Sequence, residues 1–209
     1  MLGLQAPHDD GEMKTLRLPC DEKAVRSLKA GDAVEIYGLV VTGRDALHKF
    51  FADGGAAPAE LKGAALYHCG PVAVREGDGW RIAAAGPTTS VRENVYEPRF
   101  IAGTGVRVII GKGGMDEATH EAMKRFGCVY VQAVGGAAAL AASCVKKVLK
   151  VDHLDDFGAA EACWHLDVEG LRGVVAMDAS GGSLFREVRA KSAARMAGLL
   201  KGAAAWKNS

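Results

Sequence analysis

Three short segments of this chain share a design that suits chemistry on a small anion. "TGRD" (Thr42 to Asp45), "GPTTSVR" (Gly86 to Arg92) and "GKGG" (Gly111 to Gly114) each set a glycine turn beside a cation or a row of hydroxyls. Glycine lets backbone amides approach a ligand closely, and turns that end strands and open helices favour negative charge. If the three turns share one sheet edge, they gather Arg44, Arg92 and Lys112 around the hydroxyls of Thr88 and Thr89. Arginine grips a carboxylate through two parallel bonds and lysine adds a compact charge, so the set suits a small dicarboxylate.

Each segment also has a purely structural reading. Asp45 caps the helix that follows and pairs with Arg44, one of Thr88, Thr89 and Ser90 caps a helix through Val91, and Lys112 is a surface turn residue. In the combined reading Ser90 is the cap and the two threonines stay free. His48 lies one helical turn beyond Arg44 on the same face, where it orients a neighbour, contacts ligand or packs half-buried. His68 and Cys69 are adjacent on a strand and point to opposite faces, so they make no metal pair. His120, His153 and His165 lack ligand spacing and read as surface or packing residues. "GKGG" lacks the spacing of a phosphate-binding loop, and "GTGVRV" precedes a strand and misses the third glycine of a dinucleotide fingerprint. "VGGAAALAASCV" is read as a packing segment, with a glycine-turn anion contact as the alternative.

The elements that must position these turns follow from the pattern. Strands are expected in "AVEIYGLVVT", "AALYHCG", "VRVIIGKGG", "CVYVQAV", "CWHLDVEGL" and "GVVAMDASGG", with a hairpin about Gly77-Asp78-Gly79. Helices are expected in "RDALHKFFADGG", in "MDEATHEAMKRFG", from Gly136 to about Val148, and in the C-terminal "SLFREVRAKSAARMAGLLKG". The alternation with an early hairpin predicts an α/β fold with a mixed sheet, or a β layer on a β/α layer, in one compact domain over residues 21–209. Residues 1–20 are expected to be an N-terminal extension, the first 12 a tail or an alternative start before Met13.

Bulk properties bound the function. The 209 residues are 49% hydrophobic and 24% charged, enough to bury a sizeable core. A net charge of +1 gives no support to nucleic-acid binding. The longest apolar runs fall far short of the roughly 20 residues that cross a bilayer, and the acidic N-terminal stretch is unlike a signal peptide, so a cytoplasmic protein away from membranes is expected. No two of Cys20, Cys69, Cys128, Cys144 and Cys163 lie closer than 16 residues, so neither a metal nor an iron–sulfur site is expected on this chain alone.

Taken in order, "LKAGDAVEIYGLVVTGRDALHK", "GAALYHCGPV", "AAAGPTTSVR", "VIIGKGG", "CVYVQAVGGAAAL" and "EACWHLDVEGLRGVVAMDASG" resemble the C-terminal domain of class I fumarate hydratases. They resemble equally the β subunit of two-subunit fumarases and L-tartrate dehydratases, over Leu28 to Gly181. The resemblance implies a swivelling β/β/α domain in a hydro-lyase whose [4Fe-4S] cluster is bound by a separate α subunit, in an α2β2 assembly. It implies that Arg44, Thr89, Arg92 and Lys112 grip the substrate and that Thr88 is the catalytic base, or a relay, opposite an acidic residue of the α subunit. Asp45 and His48 stand behind that set. The substrate implied is malate/fumarate, with tartrate/oxaloacetate or a methylated analogue as alternatives. A non-catalytic dicarboxylate-binding or assembly module is the competing class. One departure stands out: family members often carry Met and an acidic residue after TTSxR, where this chain has Glu93-Asn94. Glu93 there either alters substrate choice or points to solvent.

Overall fold

The computed structural model describes residues 13–207 of the chain, with side chains to residue 200. The described part begins with strand β1 (Lys14–Leu18), helix α1 (Glu22–Arg26), strand β2 (Ala33–Thr42), helix α2 (Asp45–Ala52) and strand β3 (Ala65–Tyr67). The hairpin β4 (Val72–Glu76) and β5 (Gly79–Ala84) follows, then helix α3 (Glu97–Thr104), strand β6 (Val108–Gly111), helix α4 (Glu117–Phe126) and strand β7 (Val129–Gln132). Helix α5 (Ala138–Ser143), strand β8 (Val145–Asp152), helix α6 (Leu154–Phe157), strand β9 (Cys163–Met177) and helix α7 (Leu184–Lys207) complete the order.

Seven strands form a mixed sheet in the order β1-β2-β3-β6-β7-β9-β8, and a further antiparallel pairing of β2 with β9 closes five of them into a ring. β2, β3, β6 and β7 run parallel to one another, so their carboxyl ends lie along one edge. These strands are buried on both faces, as parallel strands require. Val108 and Ile110 alternate with Ile109 between two cores. One core takes Ile82 of the hairpin and Trp164 of β9, and the other takes Leu47, Phe100, Ile101 and Met123 from the helices. Each such side chain contributes about 1.5–3 kcal/mol on burial. The sheet therefore sits between a β side and a helical side, a β/β/α arrangement with a mixed sheet.

Three expectations are corrected. Lys14–Leu18 is a sheet strand paired with β2, so the N-terminal extension does not reach residue 20; residues 1–12 lie outside the described part. The helix expected from Gly136 to Val148 ends at Ser143, and Val145–Asp152 is an edge strand on β9. The two late strands are one, Cys163–Met177, bent at Gly170, whose φ of 75° lets the register shift without a break. Among the described residues no helix is long and apolar enough to cross a membrane.

Candidate functional site

The three turns meet. β2, β3 and β6 are neighbours, and the loops leaving their carboxyl ends carry Arg44-Asp45, His68-Cys69 and Lys112-Gly113. The "PTTS" segment threads between the last two as an irregular strand. Pro87 bridges Cys69, the Thr88 amide donates to the His68 carbonyl at 2.6 Å, and the Lys112 amide donates to the Thr88 carbonyl at 3.3 Å. Thr89 then faces Lys112 in a parallel bridge, and the Ser90 amide donates to the Lys112 carbonyl at 3.0 Å. Backbone pairing thus fixes Thr88, Thr89 and Lys112 side by side.

Arg92 closes the group against the first turn. Its guanidinium donates twice to Asp45, at 3.1 and 3.3 Å, and once to the Thr88 hydroxyl at 3.4 Å. Partial burial opposes ionisation of Asp45, but the Arg92 hydrogen bond and charge override it and hold the carboxyl below the usual range. Arg44 reaches Glu161 at 3.2 Å and Asp45 at 3.9 Å, while Glu161 also accepts the Ala46 amide at 3.1 Å. The site is therefore not three free cations. Arg44 and Arg92 are paired with Glu161 and Asp45, and Lys112 on the neighbouring turn adds one further positive charge.

The capping expectations do not hold. Arg44, not Asp45, is the N-cap of α2 and makes no side-chain cap bond; Asp45 is the first helical residue and turns to Arg92. Ser90 caps nothing. It is buried, with its hydroxyl 2.9 Å from His68 Nδ1 and 3.0 Å from Tyr130 OH. The helical start reads as a capped segment in the sequence, yet Ser90–Val95 is a 3-10 turn without a side-chain cap, because its hydroxyl is used inward.

Beneath the turns lies a fully buried acid–base cluster that the sequence reading missed. His48 is buried, not half-buried: Nδ1 is 2.8 Å from the Arg44 carbonyl and Nε2 is 3.0 Å from Glu97 Oε2. His68 Nε2 lies 3.3 Å from the same oxygen. Burial works against a charged His48, but Glu97 and Glu93 outweigh it and raise its pKa to about 9. Burial likewise opposes ionisation of Glu97, and His48 and His68 overcome it, holding that carboxyl down at about 2. Burial keeps His68 below its ordinary value, in its neutral form. Glu93, expected at the pocket or in solvent, points into this interior, 3.5 Å from His48 Nδ1. Only the pairing "HC" in "LYHCG" and the spacing of His48 from Arg44 hint at the cluster in sequence, and Glu97 carries no signal at all. His120 and His165 are also buried, on the Asp178 carbonyl at 3.0 Å and on Asp152 at 2.8 Å; His153 is partly exposed beside Asp156.

His48, His68 and Glu97 are also the one group of three metal-ligand side chains that converge among the described residues, with ligand atoms within 4.8 Å of one another. His48 Nε2 hydrogen-bonds one Glu97 oxygen at 3.0 Å, and His68 Nε2 makes a 3.3 Å charge contact to the same oxygen. Among the described residues no cysteine belongs to a converging group of three metal-ligand side chains, whereas an iron–sulfur cluster needs several thiolates together.

Gly111, at the end of β6, is required by this layer. A Cβ there would collide with the Ser90 hydroxyl and lie 3.1 Å from Tyr130 OH and 3.3 Å from His68 Nδ1. Gly111→Ala is expected to lower the unfolding free energy by about 1–3 kcal/mol. A urea titration checks this, and an unchanged midpoint would show that the space is not filled.

The fold and site define a β/β/α domain whose cationic and hydroxyl-bearing turns meet at the carboxyl ends of parallel strands. Comparison with known proteins places it further. The family model "Fumarase C-terminus" matches residues 5–188, and the chain belongs to that family. It is 46% identical over 179 residues to a Geobacillus stearothermophilus protein named "Putative fumarate hydratase class I", covering 85% of this chain and 34% of that one. The chain thus spans about a third of that relative. It is 34% identical over 176 residues to the L(+)-tartrate dehydratase subunit beta of Escherichia coli (strain K12), covering 83% of this chain and 87% of the relative.

Proposed function

We propose that this chain is the β subunit of an iron–sulfur-dependent hydro-lyase that reversibly dehydrates a small 2-hydroxy dicarboxylate, malate to fumarate first. The observation that carries the reading is the seating of Arg44, Thr88, Thr89, Arg92 and Lys112 along one strand edge in a member of the fumarase C-terminal family. The higher identity to the fumarate hydratase relative favours malate. L-tartrate is the second reading, favoured by the near-full-length match to a free-standing tartrate dehydratase β subunit.

Dehydration removes a proton from the carbon beside one carboxylate and expels hydroxide from the next carbon. Negative charge builds on that carboxylate as the C–H bond breaks. Arg92 and Lys112 stand where such charge would be received, Arg44 beside them, and Thr89 supplies a hydroxyl contact. Donors fixed in advance contribute roughly 3–4 kcal/mol each in comparable oxyanion sites. Thr88 Oγ1 takes the carbon-bound proton or relays it. The Arg92 guanidinium 3.4 Å away favours the ionised hydroxyl that a base requires. The [4Fe-4S] cluster belongs, on this reading, to an α subunit, since no cysteines converge among the described residues here, and the assembly is α2β2 in the cytoplasm.

The test is co-expression with an α partner under anaerobic conditions and assay with malate, fumarate and L-tartrate. Turnover of one of these by the complex, and none by this chain alone, is expected. Hydration of fumarate by the isolated, iron-free chain would overturn the division of labour, and dicarboxylate binding without any turnover by the complex would favour a non-catalytic module.

A further inference from the structure

We propose that Glu97 is the positioning residue of the anion edge, acting through one continuous buried line of polar groups that ties its three turns together. The inference rests on the dehydratase reading only for the identity of the ligand.

The line starts at the Arg44 carbonyl, which lies 2.8 Å from His48 Nδ1, and passes from His48 Nε2 to Glu97 at 3.0 Å. From the same Glu97 oxygen it continues to His68 Nε2 at 3.3 Å, then from His68 Nδ1 to Ser90 at 2.9 Å. Ser90 meets Tyr130 OH at 3.0 Å, and Tyr130 OH receives the Gly114 amide at 3.3 Å. Its ends are thus the "TGRD" and "GKGG" turns, and its middle is the serine of "TTS". His48, His68, Ser90 and Glu97 are each fully buried.

One placement of protons orients every link in a single sense. Gly114 donates to Tyr130, Tyr130 to Ser90, and Ser90 to His68 Nδ1. His68 Nε2–H then faces Glu97 Oε2 from one side across 3.3 Å, a charge contact less well aligned than the His48 bond. From the other, His48 donates with both nitrogens, to Glu97 and to the Arg44 carbonyl. Both arms converge on Glu97, the single carboxylate acceptor where the directions meet. The neutral state of His68 and the protonated state of His48 agree with this assignment. Replacing that carboxylate removes the nearer of the two carboxylates that hold the His48 charge, and the group on which the two arms meet. Arg44 and Thr88 then lose their fixed spacing, because the Thr88 amide hangs on the His68 carbonyl. The Glu97 side chain is fully buried beneath the edge, so it acts through His48 and His68.

Two variants test it in the assembled enzyme and in the full-length chain. Glu97→Gln keeps the shape and removes the charge; Tyr130→Phe removes one oxygen and keeps the ring, so it folds even if the first does not. Glu97→Gln is expected to raise KM for the dicarboxylate on the order of tenfold or more with a smaller change in kcat, and Tyr130→Phe to do so more weakly. A variant that merely lost folded protein would lower kcat and leave KM alone. Imidazole 15N spectra of the full chain at pH 7.5 should show His48 doubly protonated and His68 protonated at Nε2, with His48 becoming neutral in Glu97→Gln. Amide exchange at Thr88 and Gly114 should quicken in both variants. Wild-type KM in both variants, a His48 that is neutral in the wild type, or a His68 protonated at Nδ1 would each overturn the proposal. Should the wild-type complex turn over none of the diacids, the dehydratase reading fails by itself, and the spectra and amide exchange still decide the role of Glu97.

Discussion

Arg92→Ala is expected to lower kcat/KM for the 2-hydroxy dicarboxylate by about 10²–10³-fold in the assembled two-subunit enzyme. Arg92 does three things at once in the free site. It neutralises Asp45 through two bonds, touches the Thr88 hydroxyl, and keeps its remaining surface open to solvent at 44% exposure. Without it, Asp45 keeps only the Arg44 guanidinium, 3.9 Å away and shared with Glu161, and the surplus positive charge falls from one to none. A dianion then meets a neutral edge with a repulsive group beside it. Arg92→Lys restores the charge without the two-pronged geometry, and a partial recovery of roughly tenfold is expected from that difference. Steady-state kinetics of anaerobically assembled enzyme measure both. If Arg92→Ala keeps wild-type kcat/KM, Arg92 serves only to hold Asp45, and the carboxylate grip must lie with Lys112 and Arg44.

How far the sequence carried this site depends on which residues are asked about. That three turns share an edge follows from strands that end in Gly43, before His68 and at Gly111, because parallel neighbours bring their carboxyl ends together. What the local pattern does not contain is the pairing of those turns with carboxylates from elsewhere. Glu161 comes from the loop before β9, well over a hundred residues after Arg44, and no spacing rule connects them. The same holds for Glu97, whose partners His48 and His68 lie on other elements.

The misread edge strand has a sharper cause. Val145, Val148 and Val151 of β8 pack on the core at intervals of three, which imitates a helix following an alanine-rich one. The register shifts between Val145 and Lys147 and again between Val148 and Lys150, so bulges convert a period of two into a period of three. Glu93 was misplaced for a related reason. The expectation of solvent or pocket rests on its neighbour Arg92 being at the edge, but a 3-10 turn rotates successive side chains by about a third of a circle and sends Glu93 inward.

That inward turn makes Glu93 a source of pH dependence in the stability of the fold near neutral pH. Its carboxyl is fully buried, neither oxygen has a hydrogen-bond partner, and burial raises its pKa to about 7. His48 at 3.5 Å and Arg92 favour its ionised form, while Asp45 and Glu97 oppose it, and burial prevails. The folded chain therefore holds a proton that the unfolded chain releases near the ordinary value of 4.5. Stability from this group is complete below that value and is lost as pH rises through about 7. The difference of about 2.5 units corresponds to on the order of 3 kcal/mol. His48 adds a loss in the same direction at higher pH, between its ordinary 6.5 and about 9, as it gives up the proton shared with Glu97. Glu97 acts oppositely, and its contribution disappears only as pH falls below 4.5 towards about 2. Urea denaturation from pH 5 to 8 is thus expected to show falling stability in the wild type. In Glu93→Gln the slope between pH 5 and 7 should flatten, while the decline above pH 7 persists because His48 and Glu97 are intact. An equal slope in both proteins would mean that Glu93 is ionised in the folded state at neutral pH, and that His48 carries its charge for two carboxylates instead of one.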